Sequence, residues 1–337
     1  MKTARCVEVG ADQSLEGLRV VTQPVAEPGP GEVRVRIQAS SLNYADFARV
    51  TGLIEAGPGR VPLTDGAGIV DAVGPGVSEW SEGDMVIARF SPEWDGGRFT
   101  RARTLACGGI TADGYATEYT VKPASWFTRA PRGYSAAEAA TLGCAALTAW
   151  RALFGETALR PGDWVMTQGT GGVSIFALQF AKACGARVIA TTSSADKAAR
   201  LTQLGADHVL NYREQPDWGD AAYALADGRG VDAIVEIGGG PALGQSFQAV
   251  REGGYIGLIG IMAGWSGEVP SVALMLKNAR IQGITVGNLE QQLAMIETIE
   301  ANQIRPVISS TYPLDRLADA FREQASQRHF GKISIAV

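Results

Sequence analysis

The chain has 337 residues, 46% of them hydrophobic, with 42 glycines and a net charge of −5 spread over intermixed acidic and basic residues. That length exceeds one ordinary core and predicts two domains, while the absence of a basic stripe argues against nucleic acid and for a small-molecule ligand. No apolar run approaches the roughly 20 residues that span a bilayer, and the start, MKTARCVEVGADQS, lacks the apolar region of a signal peptide, so a cytoplasmic protein with no membrane partner is expected.

In chain order, short alternating runs such as VRVRI (33–37) come first, separated by the Gly/Pro turns EPGPGE, EAGPGR, VGPGVS and SEGD. Up to about residue 122 this pattern predicts a compact, barrel-like β domain. From about 160 to 290 the texture changes: WVMT, a helix over 173–184, RVIATT, a helix over 195–204, HVLNY, VDAIVEI, a helix over 241–251, YIGLIG and the strand ITVG. Strands alternating with helices predict parallel βαβ units. QQLAMIETIEANQ and LDRLADAFREQ then read as amphipathic helices and KISIAV as a last strand. Four scattered cysteines (Cys6, Cys107, Cys144, Cys184) and two histidines (His208, His329) show neither C-x-x-C nor H-x-x-x-H spacing, so neither a disulfide framework nor a metal site is expected.

Between the first parallel strand and its helix stands QGTGGVS (168–174). A glycine-rich turn that opens a helix lets backbone N–H groups approach a pyrophosphate at the positive helix end. Gly169, Thr170, Gly171, Gly172 and Val173 are the predicted phosphate cradle. Ser174 stands where a G-x-G-x-x-G fingerprint has its third glycine; it is expected to face the neighbouring strand and to cost little. At the end of the second strand an enzyme preferring NAD usually has Asp or Glu. This chain has Thr191, Thr192, Ser193 and Ser194, then Lys197, with Tyr212 ending the next strand. Hydroxyls and an ammonium suit a 2′-phosphate, which favours NADP(H) over NAD(H).

SLNYADFARVTG, PLTDGAGIVDAVGPGVSEWSEGDMVIA, GCAALTAW and LRPGDWVMTQGTGGVS, in that order, resemble the medium-chain dehydrogenase/reductase superfamily over nearly the whole chain. The combination of N-Y-A-D, D-G-A-G-I-V and L-T-A-W is most similar to the zinc-free quinone oxidoreductase branch and its alcohol-dehydrogenase-like relatives. The resemblance implies an α/β fold in two parts: a GroES-like, β-rich catalytic domain over 1–123 and 291–337, and a Rossmann domain with a doubly wound parallel sheet over 124–290. It places the cofactor in a cleft between them and implies a homodimer. It also carries cofactor contacts onto Thr148, Gly238, Gly239, Ile259, Gly260, Ile261, Gly287 and Asn288.

Where zinc-dependent members of the family have their ligands, this chain matches with Asn43, the pair Thr64–Asp65 and Cys144, and the segment 91–114 holds only Cys107 in place of a four-cysteine zinc lobe. Zinc needs three N, S or carboxylate ligands, so a metal-free enzyme is expected, with Cys144 a core residue. Without a Lewis acid, hydride transfer suits an acceptor that is already electron-poor, a quinone or an α,β-unsaturated carbonyl. The candidate catalytic residues are Asn43 and Tyr44 for orientation, with Tyr44 or solvent as the proton donor, Asp46 behind them as partner or helix cap, and Thr64. A zinc-free alcohol dehydrogenase or aldehyde reductase is the alternative, followed by a non-enzymatic nucleotide-binding protein. The Arg- and Gly-rich stretch 89–114 is expected to be a loop that either shapes substrate choice or is a simple solvated insertion.

Overall fold

The computed structural model describes residues 2–55 and 57–337. The chain forms two compact units, Met1–Leu147 with Gly287–Val337, and Thr148–Val286. The contact boundaries fall later than expected at the first crossing and earlier at the second. Residues 124–147 stay with the first unit because the helix Ala136–Ala139 packs on its sheet, with Ser41 donating to the Ala140 carbonyl at 3.1 Å.

The first leg of that unit runs β1 (Thr3–Glu8), β2 (Arg19–Pro24), β3 (Glu32–Ser41), α1 (Tyr44–Val50), β4 (Ala67–Val73), β5 (Met85–Ala88), β6 (Tyr119–Pro123), β7 (Phe127–Arg129) and α2 (Ala136–Ala139). Strand β3 organises it. The alternation in EVRVRI turns Val33, Val35 and Ile37 into one core with Val70, Val86, Tyr115 and Phe127, while β4 and β6 pair antiparallel on either side.

The second unit carries α3 (Leu147–Trp150) across the boundary, then β8 (Trp164–Gln168), α4 (Gly172–Ala183), β9 (Arg187–Thr192), α5 (Ala195–Gln203), β10 (His208–Asn211), α6 (Trp218–Leu225), β11 (Val231–Glu236), α7 (Ala242–Ala249), β12 (Val250–Leu258), α8 (Ser271–Leu276) and β13 (Arg280–Gly283). All neighbouring strands are parallel, in the order β10-β9-β8-β11-β12-β13. This is the doubly wound order in which ligands sit beyond the carboxyl ends of the strands, at the reversal between β8 and β11. Strands covered on both faces read as near-continuous apolar runs, and WVMTQ and VDAIVE are buried at every position, their polar residues included. The strand expected at 284–287 lies four residues earlier. Register with β12 pairs Tyr255 with Arg280, and after Gly283 only the Ile284 amide still reaches Leu258, at 2.9 Å.

The chain returns to the first unit as α9 (Leu289–Asn302), β14 (Ile308–Pro313), α10 (Leu317–Ala325) and β15 (Lys332–Ala336), the last antiparallel to β3. Among the described residues no helix is long and apolar enough to cross a membrane.

Candidate functional site

In the first unit the candidate residues gather where β3 gives way to α1. Asn43 has extended backbone and caps the helix; Asp46, in the first turn, reaches back to accept the Asn43 amide at 3.0 Å and suits the positive helix end. The same carboxylate accepts the Thr64 amide at 3.0 Å. That bond pins the residue after Leu63, a buried non-glycine with φ 76°. Such a conformation costs on the order of 1–3 kcal/mol and persists only where its surroundings impose it; here the Leu63 carbonyl also accepts the Tyr115 amide at 2.9 Å.

Behind this turn lies a charge pair absent from the expectation. Lys332, the first residue of β15, is buried, and its ammonium donates to the Leu42 carbonyl (2.7 Å), Asn43 Oδ1 (2.6 Å) and Asp65 Oδ2 (3.3 Å). Asp65 is 1% exposed and Lys332 3%. Asp65 Oδ2 also accepts Ser41 Oγ (2.6 Å) and Asn43 Nδ2 (2.8 Å), and Asn43 Nδ2 reaches Thr64 Oγ1 at 3.2 Å. The Asn43 side chain is therefore spent inside the protein at both ends, as a tie rather than as a group presented outward. Tyr44 differs. It is half-buried in the first turn of α1, its ring 6.2 Å from that of Phe47.

Burial, aided by the charge of Asp65, raises the Asp46 carboxyl to about 7. Burial likewise pushes the Cys144 thiol well above its ordinary value, with Asp65 adding to the effect. A thiol held neutral is a poor nucleophile. Residues 89–114 form a loop anchored by buried Trp94 and Cys107, with Arg98, Phe99, Arg101, Arg103 and Leu105 exposed between them.

In the second unit the predicted cradle leaves β8 with Gly169 at φ 67°, a left-handed conformation that glycine adopts without strain. Its amide donates to Thr191 Oγ1 at 3.2 Å. Helix α4 then begins at Gly172, with Gly171 as its cap. The first amides of a helix have no intrahelical acceptor, so those of 172–174 fit a phosphate. Open space, with no atom within 4 Å, surrounds the position where Gly171 would carry a side chain. Ser174 is buried and donates to the Gln168 carbonyl at 2.5 Å, so the expected inward-facing hydroxyl closes the turn. Thr192 ends β9, and Ser193 and Ser194 follow it; Ser194 caps α5 by accepting the Lys197 amide at 3.5 Å, and the Tyr212 amide donates to the Thr192 carbonyl at 3.0 Å. Burial, with the Arg200 charge adding, holds the Lys197 ammonium below the usual lysine value. The one acid in the first turn of α5, Asp196, is exposed.

The loops after β11 and β12 interlock. The Ile259 and Gly260 amides both donate to the Glu236 carbonyl, at 2.9 and 3.2 Å, and a side-chain carbon on Gly260 would stand 2.2 Å from the Ile237 carbonyl oxygen. Gly238, Gly239 and Ile259–Ile261 are thus brought together, and the Gly169–Val173 turn and the Ser193–Tyr212 group lie at the same carboxyl edge of the sheet. Thr148 is buried in α3. Gly287 and Asn288, expected in the cofactor domain, fall in the first unit, where the Asn288 side chain caps α9 by accepting the Gln291 amide at 2.9 Å. Sequence reasoning missed Lys332, Ser41, Gln168, Glu236 and Ser246. The available signal was a polar residue opening or closing an apolar strand, as in KISIAV and VDAIVE.

The family model described as alcohol dehydrogenase GroES-like domain matches residues 29–132, and that described as zinc-binding dehydrogenase matches residues 172–301. A zinc-type alcohol dehydrogenase-like protein of Schizosaccharomyces pombe is 40% identical over 318 residues, 91% of each chain. A structure provisionally described as an alcohol dehydrogenase from Sinorhizobium meliloti 1021 superposes with a TM-score of 0.93 at 40% identity, covering 100% of this chain and 99% of that one. A structure of an NAD-dependent alcohol dehydrogenase does so with 0.89 at 35% identity, over 99% of both. The zinc in two of these names does not fit the residues present. Among the described residues no three His, Cys, Asp or Glu side chains converge to hold a metal ion, and the one acid at the matching position, Asp65, already faces an ammonium.

Proposed function

The chain belongs to the medium-chain dehydrogenase/reductase superfamily and is an alcohol-dehydrogenase-like oxidoreductase; from that premise we propose that it works without zinc and reduces an electron-poor acceptor, a quinone or an α,β-unsaturated carbonyl, at the expense of NADPH. The observation that carries the reading is Lys332, whose ammonium takes up Asp65 and Asn43 at two of the positions where zinc-dependent relatives have ligands. A bound nicotinamide supplies the hydride. The amides of 172–174 hold the pyrophosphate at the helix end, and Gly169 lets the backbone turn close beneath it. Ser193, Ser194, Tyr212 and the half-buried Lys197 would hold the 2′-phosphate, an anion that suits the Lys197 ammonium. In the first unit the Asn43–Asp46–Thr64 ties fix the start of α1 and so the direction of Tyr44, whose hydroxyl hydrogen-bonds the acceptor oxygen as charge develops there. The active form is a homodimer and the setting cytoplasmic.

A second reading, a zinc-free alcohol dehydrogenase or aldehyde reductase, has in its favour the alcohol dehydrogenase names of the relatives, one of them NAD-dependent. Initial rates with quinones, enones, aldehydes and alcohols, each with the phosphorylated and unphosphorylated cofactor and with and without chelator, separate the two. Enone or quinone reduction with NADPH that survives chelation is the expected outcome. Activity on alcohols alone, or lost with one equivalent of zinc, overturns the proposal.

A further inference from the structure

Glu236 closes β11, the strand beside β8 at the reversal of strand order, and is fully buried. Its two oxygens accept from Gln168 Nε2 (2.7 Å), the Gly238 amide (2.7 Å), the Gly239 amide (2.9 Å) and the Ser246 hydroxyl. Four donors and no acceptor face the group, a set that a carboxylate, acceptor at both oxygens, satisfies fully. None of the four carries a charge, so its negative charge is left uncompensated, in contrast with Asp65. Gln168 extends the tie, its Oε1 accepting the Ile237 and Gly238 amides at 3.2 Å each, so a pair of neutral amides here would join the same loops without the desolvation cost of a buried anion.

We propose that Glu236 is a fixed buried charge that biases the cofactor site toward the oxidised nicotinamide. The inference rests on the reading of the second unit as a nicotinamide dinucleotide site. When the hydride, with its electron pair, leaves ring carbon C4 for the acceptor carbon, the ring passes from neutral to cationic, and a proton from Tyr44 or solvent completes the reduced acceptor. An anion held beneath the carboxyl edge of the sheet favours the cationic form. The pyrophosphate and 2′-phosphate carry the same charge in both forms, so their repulsion from Glu236 cancels when the two affinities are compared.

The test is the dissociation constant of the full chain for NADP+ and for NADPH, by titration calorimetry, in the wild type, in Glu236→Gln and in the swap Gln168→Glu/Glu236→Gln, which keeps donors matched to acceptors and moves the charge across to β8. In Glu236→Gln the ratio Kd(NADP+)/Kd(NADPH) rises about fivefold or more, and in the swap it returns to within about twofold of wild type. Equal loss for both forms in Glu236→Gln reduces the residue to a structural tie and overturns the inference. Should Glu236→Gln not fold, Glu236→Asp keeps the charge and shortens its reach: both affinities fall while the ratio holds within about twofold, and a larger move of the ratio overturns the proposal. Wild-type protein that binds neither form overturns the cofactor reading itself, a result distinct from an unchanged ratio.

Discussion

Two buried carboxylates, one in each unit, are held by different means. Asp65 has a full opposite charge against it, from Lys332 at 3.3 Å, with hydroxyl and amide donors filling the remaining directions. Glu236 has dipoles only: two backbone amides, one side-chain amide and one hydroxyl. The first arrangement is neutral overall and locks a turn in place. The second leaves a net charge at a carboxyl edge where a ligand of changing charge is proposed to bind. A carboxylate paired with an ammonium is suited to holding geometry, and one held by dipoles alone is suited to acting on a neighbour.

The comparison breaks most sharply at Lys332. Lys332→Met leaves Asp65 buried beside no cation and two oxygens, Leu42 O and Asn43 Oδ1, without their donor. Stability falls by about 3–5 kcal/mol in denaturant titrations. Adding Asp65→Asn removes the stranded charge and restores most of that loss. A Lys332→Met protein of wild-type stability would show that the pair holds nothing.

Asp46 is the third case, a carboxylate with dipoles on it and a like charge nearby. Its native value of about 7 lies above that of an ordinary unfolded carboxylate. The native state therefore binds this proton more tightly than the unfolded chain does. The resulting stability is fully present below about pH 4 and is lost as pH rises through 7, a decline on the order of a few kcal/mol. The wild-type denaturation midpoint should fall between pH 5 and pH 8, and Asp46→Asn should flatten that slope. An identical slope in the variant would remove Asp46 as its source.

Much of this was readable in the letters. The period-2 run VRVRI and the alternation after residue 160 gave both sheets, and QGTGGVS lies between β8 and α4 as expected because a glycine at φ 67° after a buried strand has a local cause. The charge partners were not readable. Lys332 and Asp65 are 267 positions apart, and their meeting depends on β15 pairing with β3, a non-local register that no short window contains. Glu236 sits in a run whose buried neighbours mask it, and its partner Gln168 lies 68 positions away on the adjacent strand. Asn43 was legible as a candidate but not in its direction, which Lys332 sets.

Lys197 sharpens the comparison from the cation's side. It is held below the ordinary lysine value by burial and by Arg200, so an anionic ligand relieves it. Lys197→Ala should weaken NADPH binding by about 1–2 kcal/mol, the scale of a partly exposed charge-assisted hydrogen bond, and leave NADH nearly unchanged. Fluorescence titration of both cofactors decides it; equal loss places Lys197 away from the 2′-phosphate.

The smallest effect belongs to Ser174, where no charge is involved at all. Its hydroxyl donates to the carbonyl of Gln168, the residue whose side chain joins Glu236, so the bond fixes the first residue of the turn from the helix side. Ser174→Gly deletes one neutral hydrogen bond, worth about 0.5–1.5 kcal/mol, and places a more flexible residue inside α4, at a further cost of roughly 0.5–1 kcal/mol. The backbone amides proposed to face the phosphate remain, because they belong to the helix itself. Stability should drop measurably while the NADPH dissociation constant stays within about threefold of wild type, a shift below 1 kcal/mol. A much larger loss of affinity with the fold intact would mean that the Ser174 hydroxyl, and not the turn's backbone alone, sets the position of the cradle, and that the chain of contacts from Ser174 through Gln168 to Glu236 acts as one unit.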